Sequence, residues 1–131
     1  MASRGSVFML VLLLGVVCTA PAVVVRGGGQ EWVVGDSMGW SFGVAGWAKG
    51  KAIQAGDVLV FKYDQTAHDV VEVDEAAYNA CEMPIGGGTP RNSGNDRVVV
   101  RAGKSFFVCS QPGRCANGMK IAITTKEGNR S

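Results

Sequence analysis

The sequence predicts an all-β fold, a sandwich or barrel of short strands. Three observations lead there. Runs rich in valine, isoleucine and phenylalanine recur at short intervals, and 19 glycines among 131 residues punctuate them with turns. Only one stretch, Asp74 to Cys81, has helical character. Chain length sets the scale, since the residues after the leader fit one compact domain of modest size.

At the start of the chain, Arg4 forms a basic end, Val7 to Val17 an apolar run, and Cys18-Thr19-Ala20 with Pro21 a small-residue break. This is the pattern of a secretory signal peptide over residues 1–29, cleaved between Ala20 and Gly29. A membrane anchor is the weaker reading, because Pro21 interrupts the run and no second apolar segment comes after it. The domain then occupies residues 30–131. Glu31 to Val34 reads as a strand stopped by Gly35 and Asp36. Lys51 to Gln54 leads through Ala55-Gly56-Asp57 into the strong strand Val58 to Tyr63, and Asp69 to Val73 is valine-rich. Glu75 to Ala80 gives a turn or two of helix. Ile85 to Asn95 is loop by its Gly, Pro, Ser and Asn content. Arg97 to Val100, Ser105 to Cys109 and Lys120 to Thr125 complete the strands, and a polar tail ends the chain.

Charge excludes one class of partner. Arg4 and Arg26 both precede Gln30, so thirteen basic residues fall to eleven, level with the eleven acidic ones. A nucleic-acid binder would need a basic patch on that balance. Asp64, Asp69, Glu72, Asp74 and Glu75 cluster mid-chain, with Arg91, Arg97, Arg101, Lys104 and Arg114 later. Each cluster reads first as a solvated face, and second as a docking surface for a charged partner.

Three local motifs carry little. Gly103-Lys104-Ser105 lacks the earlier glycine of a phosphate loop, whose place holds Val98, and reads as a hairpin turn between strands. Gly86-Gly87-Gly88 is a flexible loop. Asn129-Arg130-Ser131 is a glycosylation sequon at the extreme terminus.

The cysteines say more. Cys18 goes with the leader, so Cys81, Cys109 and Cys115 remain, an odd number that implies one bridge and one free thiol. If Cys81 and Cys115 pair, Cys109 is left free. That matters because Cys109 and Met119 are soft donors on one short loop, bent by Pro112, Gly113 and Gly118. A blue-copper-type site needs two imidazoles beside such a thiolate. This chain has a single histidine, His68, and the loop position between the cysteine and the methionine is Arg114. Cys109 with His68 could also form a nucleophile and its base. No third orienting group or nucleophile signature accompanies them, so an enzyme is not expected.

Taken together the residues resemble the plant phytocyanins, and among them the plantacyanins or basic blue proteins. The resemblance rests on Trp32-Val33-Val34-Gly35, Gly39-Trp40-Ser41-Phe42, Trp47-Ala48-Lys49-Gly50-Lys51, Ala55 to Phe61, Ala67-His68-Asp69-Val70-Val71, and the loop from Phe107 to Ile121. It covers nearly the whole domain. It implies a cupredoxin fold, two sheets packed as a Greek-key sandwich, and a disulfide joining Cys81 and Cys115. It implies copper as cofactor, with family ligands at His68, Cys109 and Met119 and a fourth position, histidine in the family, held here by Arg114. Single-electron transfer with an extracellular redox or cell-wall protein partner is the implied role. The chain lacks the stalk and apolar tail of lipid-anchored relatives, so it is expected to be a freely secreted monomer.

Arginine cannot replace that histidine. A guanidinium stays protonated, offers no lone pair and places a positive charge beside a cation. Three function classes are then open. One is an electron-transfer cupredoxin with Arg114 tolerated through another donor such as Gln111. A second is a copper-free extracellular interaction or signalling module. The third is a thiol-reactive protein in which Arg114 lowers the pKa of Cys109. The resemblance favours a phytocyanin of the blue-copper type with an impaired site.

Overall fold

The structure, a computed structural model, describes residues 29–83 and 88–125. All of the expected leader but Gly29, the Gly86-Gly87 loop and the Asn129 sequon lie outside the described residues. Within them the strands are β1 (Glu31–Val33), β2 (Val58–Lys62), β3 (Val71–Val73), β4 (Asn95–Val99), β5 (Gly103–Val108) and β6 (Lys120–Thr125). One helix, α1 (Glu75–Ala80), comes after β3, and 3₁₀ turns stand at Asp36–Met38, Val44–Gly46 and Cys115–Asn117.

Two three-stranded sheets result. One has the order β1-β2-β4, with β1 parallel and β4 antiparallel to β2, so that Trp32 and Val98 flank Leu59. The other has the order β3-β5-β6 and is antiparallel throughout, with Glu72 and Ile121 either side of Phe107. The expected strands and helix are present, with ends displaced by a residue or two. Two expectations are corrected. Asn95 opens β4 rather than closing a loop. Gly103 does not turn a hairpin either: β4 and β5 belong to different sheets, and the segment between them crosses the sandwich.

Alternation along β5 sorts its side chains to two faces. Phe107 and Cys109 enter the main core between the sheets, with Trp40, Leu59, Phe61, Val98, Met119 and Ile121. Its centre is aromatic: Trp40 meets Phe61 edge-on at 5.0 Å, and Phe61 meets Phe107 at 5.4 Å. Val108 takes the opposite face, where it packs with Val71, Cys115, Tyr78 and Cys81. Helix α1 covers that outer face. Asp74 caps its start by accepting from the Ala77 amide at 2.8 Å, and Cys81 ends it in the left-handed region at φ 55°. A disulfide joins Cys81 to Cys115. Closing a loop of 34 residues stabilises a small domain by roughly 3–4 kcal/mol.

A buried carboxylate locks the start of the domain. Asp57 is 2% exposed and accepts from the Gln30 amide at 3.0 Å, Trp32 Nε1 at 2.9 Å and the Gln54 amide at 2.9 Å. It ties β1 to the loop before β2. Gly29 lies so close that a Cβ there would fall 2.2 Å from Asp57 Oδ1, which only glycine avoids.

The charged clusters meet in two pairs, Arg101 with Glu72 and Lys104 with Glu75 at 4.0 Å, while Arg97 pairs with Glu31. Asp69 is the exception to the solvated-face reading, being 5% exposed.

Asp57→Ala would strand three donors, and is expected to lower the unfolding free energy by about 3 kcal/mol, read as a shift of the urea midpoint. The two tyrosines supply a pH signature. Burial, then the hydrogen bond to Asp96, pushes Tyr63 up to about 12, and burial raises Tyr78 above its usual 10.0. The stability this lends is fully present below pH 10 and is lost as pH climbs towards 12. Ultraviolet titration at pH 10 should therefore show less than half the tyrosinate absorbance of the unfolded chain.

Candidate functional site

The site lies at one end of the sandwich, where the β2–β3 loop meets the loop between β5 and β6. In the first loop Asp64 makes a tight side-chain turn, accepting from the Thr66 amide at 2.9 Å and its hydroxyl at 2.6 Å. The Asp64 carbonyl then accepts from the amides of Ala67 and His68. Asn92 Nδ2 holds the far side, donating to the His68 carbonyl at 2.6 Å. These contacts leave the imidazole half-buried with Nδ1 turned inward.

The second loop is folded by its own backbone. The Arg114 amide donates to the Gln111 carbonyl, and the Arg114 carbonyl accepts from Asn117 and Met119. Gly118, at φ 86°, lets the chain return, and a side chain there would press to 3.1 Å of Gly43 Cα. The Cys109 amide donates to the Met119 carbonyl at 3.1 Å, so the two ends of the loop are zipped. Both Cys109 and Met119 are buried, at 1% and 0% exposure.

Three of the four expected positions come together in direct contacts. Cys109 Sγ lies 3.9 Å from His68 Nδ1. Arg114 turns into the site, and its Nε donates to the same Nδ1 at 3.4 Å. Nη1 reaches the Pro112 carbonyl at 3.2 Å, and the guanidinium stacks over the Phe42 ring at 5.6 Å. Phe42 also meets the His68 ring edge-on at 6.0 Å. A guanidinium can only donate, so Nδ1 is the acceptor and its lone pair is engaged. Met119 enters the core from the zipped end of the same loop.

This geometry sets the donor chemistry. One imidazole, one thiol sulfur and one thioether stand on the loops that would hold a soft metal ion. The imidazole lone pair facing the thiol is already bonded to a cation. No group of three or more His, Cys, Asp and Glu side chains able to hold a metal occurs among the described residues. The two imidazoles and one thiolate of a blue-copper centre are not met by the residues present, because Arg114 stands where the second imidazole would be.

Sequence reasoning missed Asp69 and Phe42. Asp69 accepts from the Ser110 amide at 2.7 Å, the Ser110 hydroxyl at 2.5 Å and Gln111 Nε2 at 3.3 Å. Its carbonyl accepts from Trp40 Nε1 at 2.8 Å. Its place beside His68 was the available signal, hidden by its apparent membership of an acidic run. Gln111, the spare donor offered by the sequence, has its Nε2 turned to Asp69 at 3.3 Å. The thiol-reactive reading falls. Burial pushes the Cys109 thiol above its usual 9.0, and backbone amides of Asp69 and Gln111 offset this only in part. Arg114 spends its charge on His68 and Phe42 instead.

Comparison with known proteins agrees with this architecture. Residues 32–119 match the plastocyanin-like domain family. The chain is a phytocyanin. It is 48% identical to a basic blue protein of Arabidopsis thaliana over 93 residues, 71% of each chain. Among solved structures it is similar to cucumber basic protein, a blue copper protein, with 41% identity and a TM-score of 0.71 over 73% of this chain and 99% of that one. Spinach plantacyanin is 50% identical, with a TM-score of 0.62 over 67% of this chain and 94% of that one. Phytocyanins are electron-carrier cupredoxins rather than enzymes.

Burial of Cys109 makes a checkable statement. In the folded chain at pH 8, iodoacetamide should modify Cys109 roughly a hundredfold more slowly than in urea, monitored by peptide mass spectrometry.

Proposed function

We propose that this phytocyanin is a secreted, plantacyanin-like protein on the blue-copper electron-transfer scaffold, with its copper site impaired by Arg114. The observation that carries the reading is the 3.4 Å contact from Arg114 Nε to His68 Nδ1. It places a fixed cation on the lone pair that a metal would need. A unit charge about 4 Å from a divalent ion is repelled by several kcal/mol even at an effective dielectric near 20. His68, Cys109 and Met119 are the residues that would hold copper, and their one nitrogen and two sulfurs suit Cu(I) better than Cu(II). When bound, copper would supply one-electron chemistry. This chain's own contribution is a rigid pocket, closed to water at Cys109 and Met119 and set by Asp69 and Asn92.

Secretion is supported by the leader pattern of residues 1–29 and by the Cys81–Cys115 disulfide, a bond typical of oxidising compartments. Among the described residues no helix is long and apolar enough to cross a membrane. A monomer that meets an extracellular redox or cell-wall protein is the working picture. The same contact also favours a second reading, a copper-free interaction module: Phe42 is 50% exposed and carries Arg114 on its face, a cation-and-aromatic surface beside the site.

A visible absorption spectrum tests this reading of the site. Titrated with Cu(II), the refolded chain should stay nearly colourless, with copper affinity at least about a hundredfold below that of Arg114→His. The Arg114→His variant should turn blue through a thiolate-to-copper charge-transfer band. A blue unsubstituted chain would make it a working electron carrier despite Arg114. A colourless variant would overturn the assignment of His68, Cys109 and Met119.

A further inference from the structure

The surroundings of the disulfide point to a second chemistry, separate from the metal reading. Three features converge on Cys81. Its backbone is in the left-handed region at φ 55°, where glycine is the usual residue at a helix end. Lys120 Nζ lies 3.7 Å from Cys81 Sγ. The ammonium is held there by the Tyr78 carbonyl at 2.9 Å and by the Tyr78 ring, whose centroid is 4.4 Å away. That same carbonyl lies 3.9 Å from both Cys81 Sγ and Cys115 Sγ. In the disulfide neither sulfur has a hydrogen to give. As thiols both could donate to it.

A cavity of about 120 Å³ reaches the bond, lined among others by Cys81, Met83, Pro112 and Cys115. A disulfide buried as a pure structural staple needs no charge beside it. Here an acceptor faces both sulfurs, which favours them as reduced thiols, and a cation faces Cys81 alone, which favours its departure as a thiolate.

We propose that Cys81–Cys115 is an exchange-active disulfide whose substrates are thiols and dithiols, with Lys120 positioning Cys81 as the leaving sulfur. A thiolate of the reductant attacks Cys115 Sγ, forming a mixed disulfide and breaking the Cys81–Cys115 bond. Cys81 departs as a thiolate beside Lys120 and takes up the proton released by the attacking thiol. The second thiol of a dithiol then attacks the reductant's own sulfur in the mixed disulfide, forming the dithiol's disulfide and breaking the bond to Cys115. Cys115 is released as a thiol with that second proton, and the dithiol is oxidised to its disulfide. Two electrons and two protons have passed to the protein. Cys115 is next to Arg114 in the chain, so the reaction frees the loop that carries the guanidinium from its tether to α1.

The test is reduction of the refolded chain by dithiothreitol without denaturant. Thiols are trapped with a maleimide and assigned to Cys81 and Cys115 by peptide mass spectrometry. The rate should rise in proportion to dithiothreitol. Lys120→Met should slow it roughly three- to tenfold, and Lys120→Arg, which keeps the cation, should restore most of it. With glutathione in place of dithiothreitol, the mixed disulfide should sit on Cys115, with Cys81 free to label. A rate independent of reductant concentration would mean that the bond is reached only by unfolding, and would overturn the proposal. So would equal rates for the original chain and Lys120→Met, or glutathione found on Cys81.

Discussion

The Asp69 carboxylate is the contact on which the functional end of this phytocyanin depends. Three segments meet there. Its side chain accepts from Ser110 and Gln111 just past Cys109, its carbonyl accepts from Trp40, and its backbone continues from His68. A buried carboxylate with charge-assisted bonds is far costlier to disrupt than an exposed one, because every donor it loses is stranded away from water. Asp69 thus fixes the separation of His68 and Cys109 from outside the pair. It also anchors the loop to Trp40 and the aromatic core rather than to solvent.

That rigidity explains why Arg114 matters so much. On a loose loop, a long cationic side chain would swing out to water. Here the loop is zipped from Cys109 to Met119, pressed on Gly43 and tethered through Cys115, so Arg114 starts from a fixed base. Phe42 then offers it an aromatic face, and His68 and the Pro112 carbonyl offer it acceptors, which hold the guanidinium in its inward pose. The scaffold that would hold a metal rigidly holds its substitute just as rigidly.

Much of the fold was legible because its signals are local. Valine-rich runs, glycine stops and the cap at Asp74 depend on neighbours in sequence, and the helix lies where Glu75 to Ala80 predicted it. What failed depended on distant pairing. Gly103 has the look of a hairpin turn, yet nothing local reveals that β4 and β5 sit in opposite sheets. Asp69 looked like one charge in an acidic run, and only the arrival of Ser110, some forty residues later, makes it a buried acceptor. The thiol-reactive reading failed for the same reason: Arg114 stands close to Cys109 in sequence, while burial of the sulfur is decided by the whole core.

By itself, then, the sequence determined the family, the all-β class, the absence of a second imidazole and the presence of a permanent cation in its place. These are matters of residue type, and no conformation gives arginine a lone pair or this chain another histidine. Tertiary structure alone decided where that cation points and which sulfur has an ammonium beside it. Each of those turns on contacts between segments thirty or more residues apart, set by how two sheets pack rather than by any local preference.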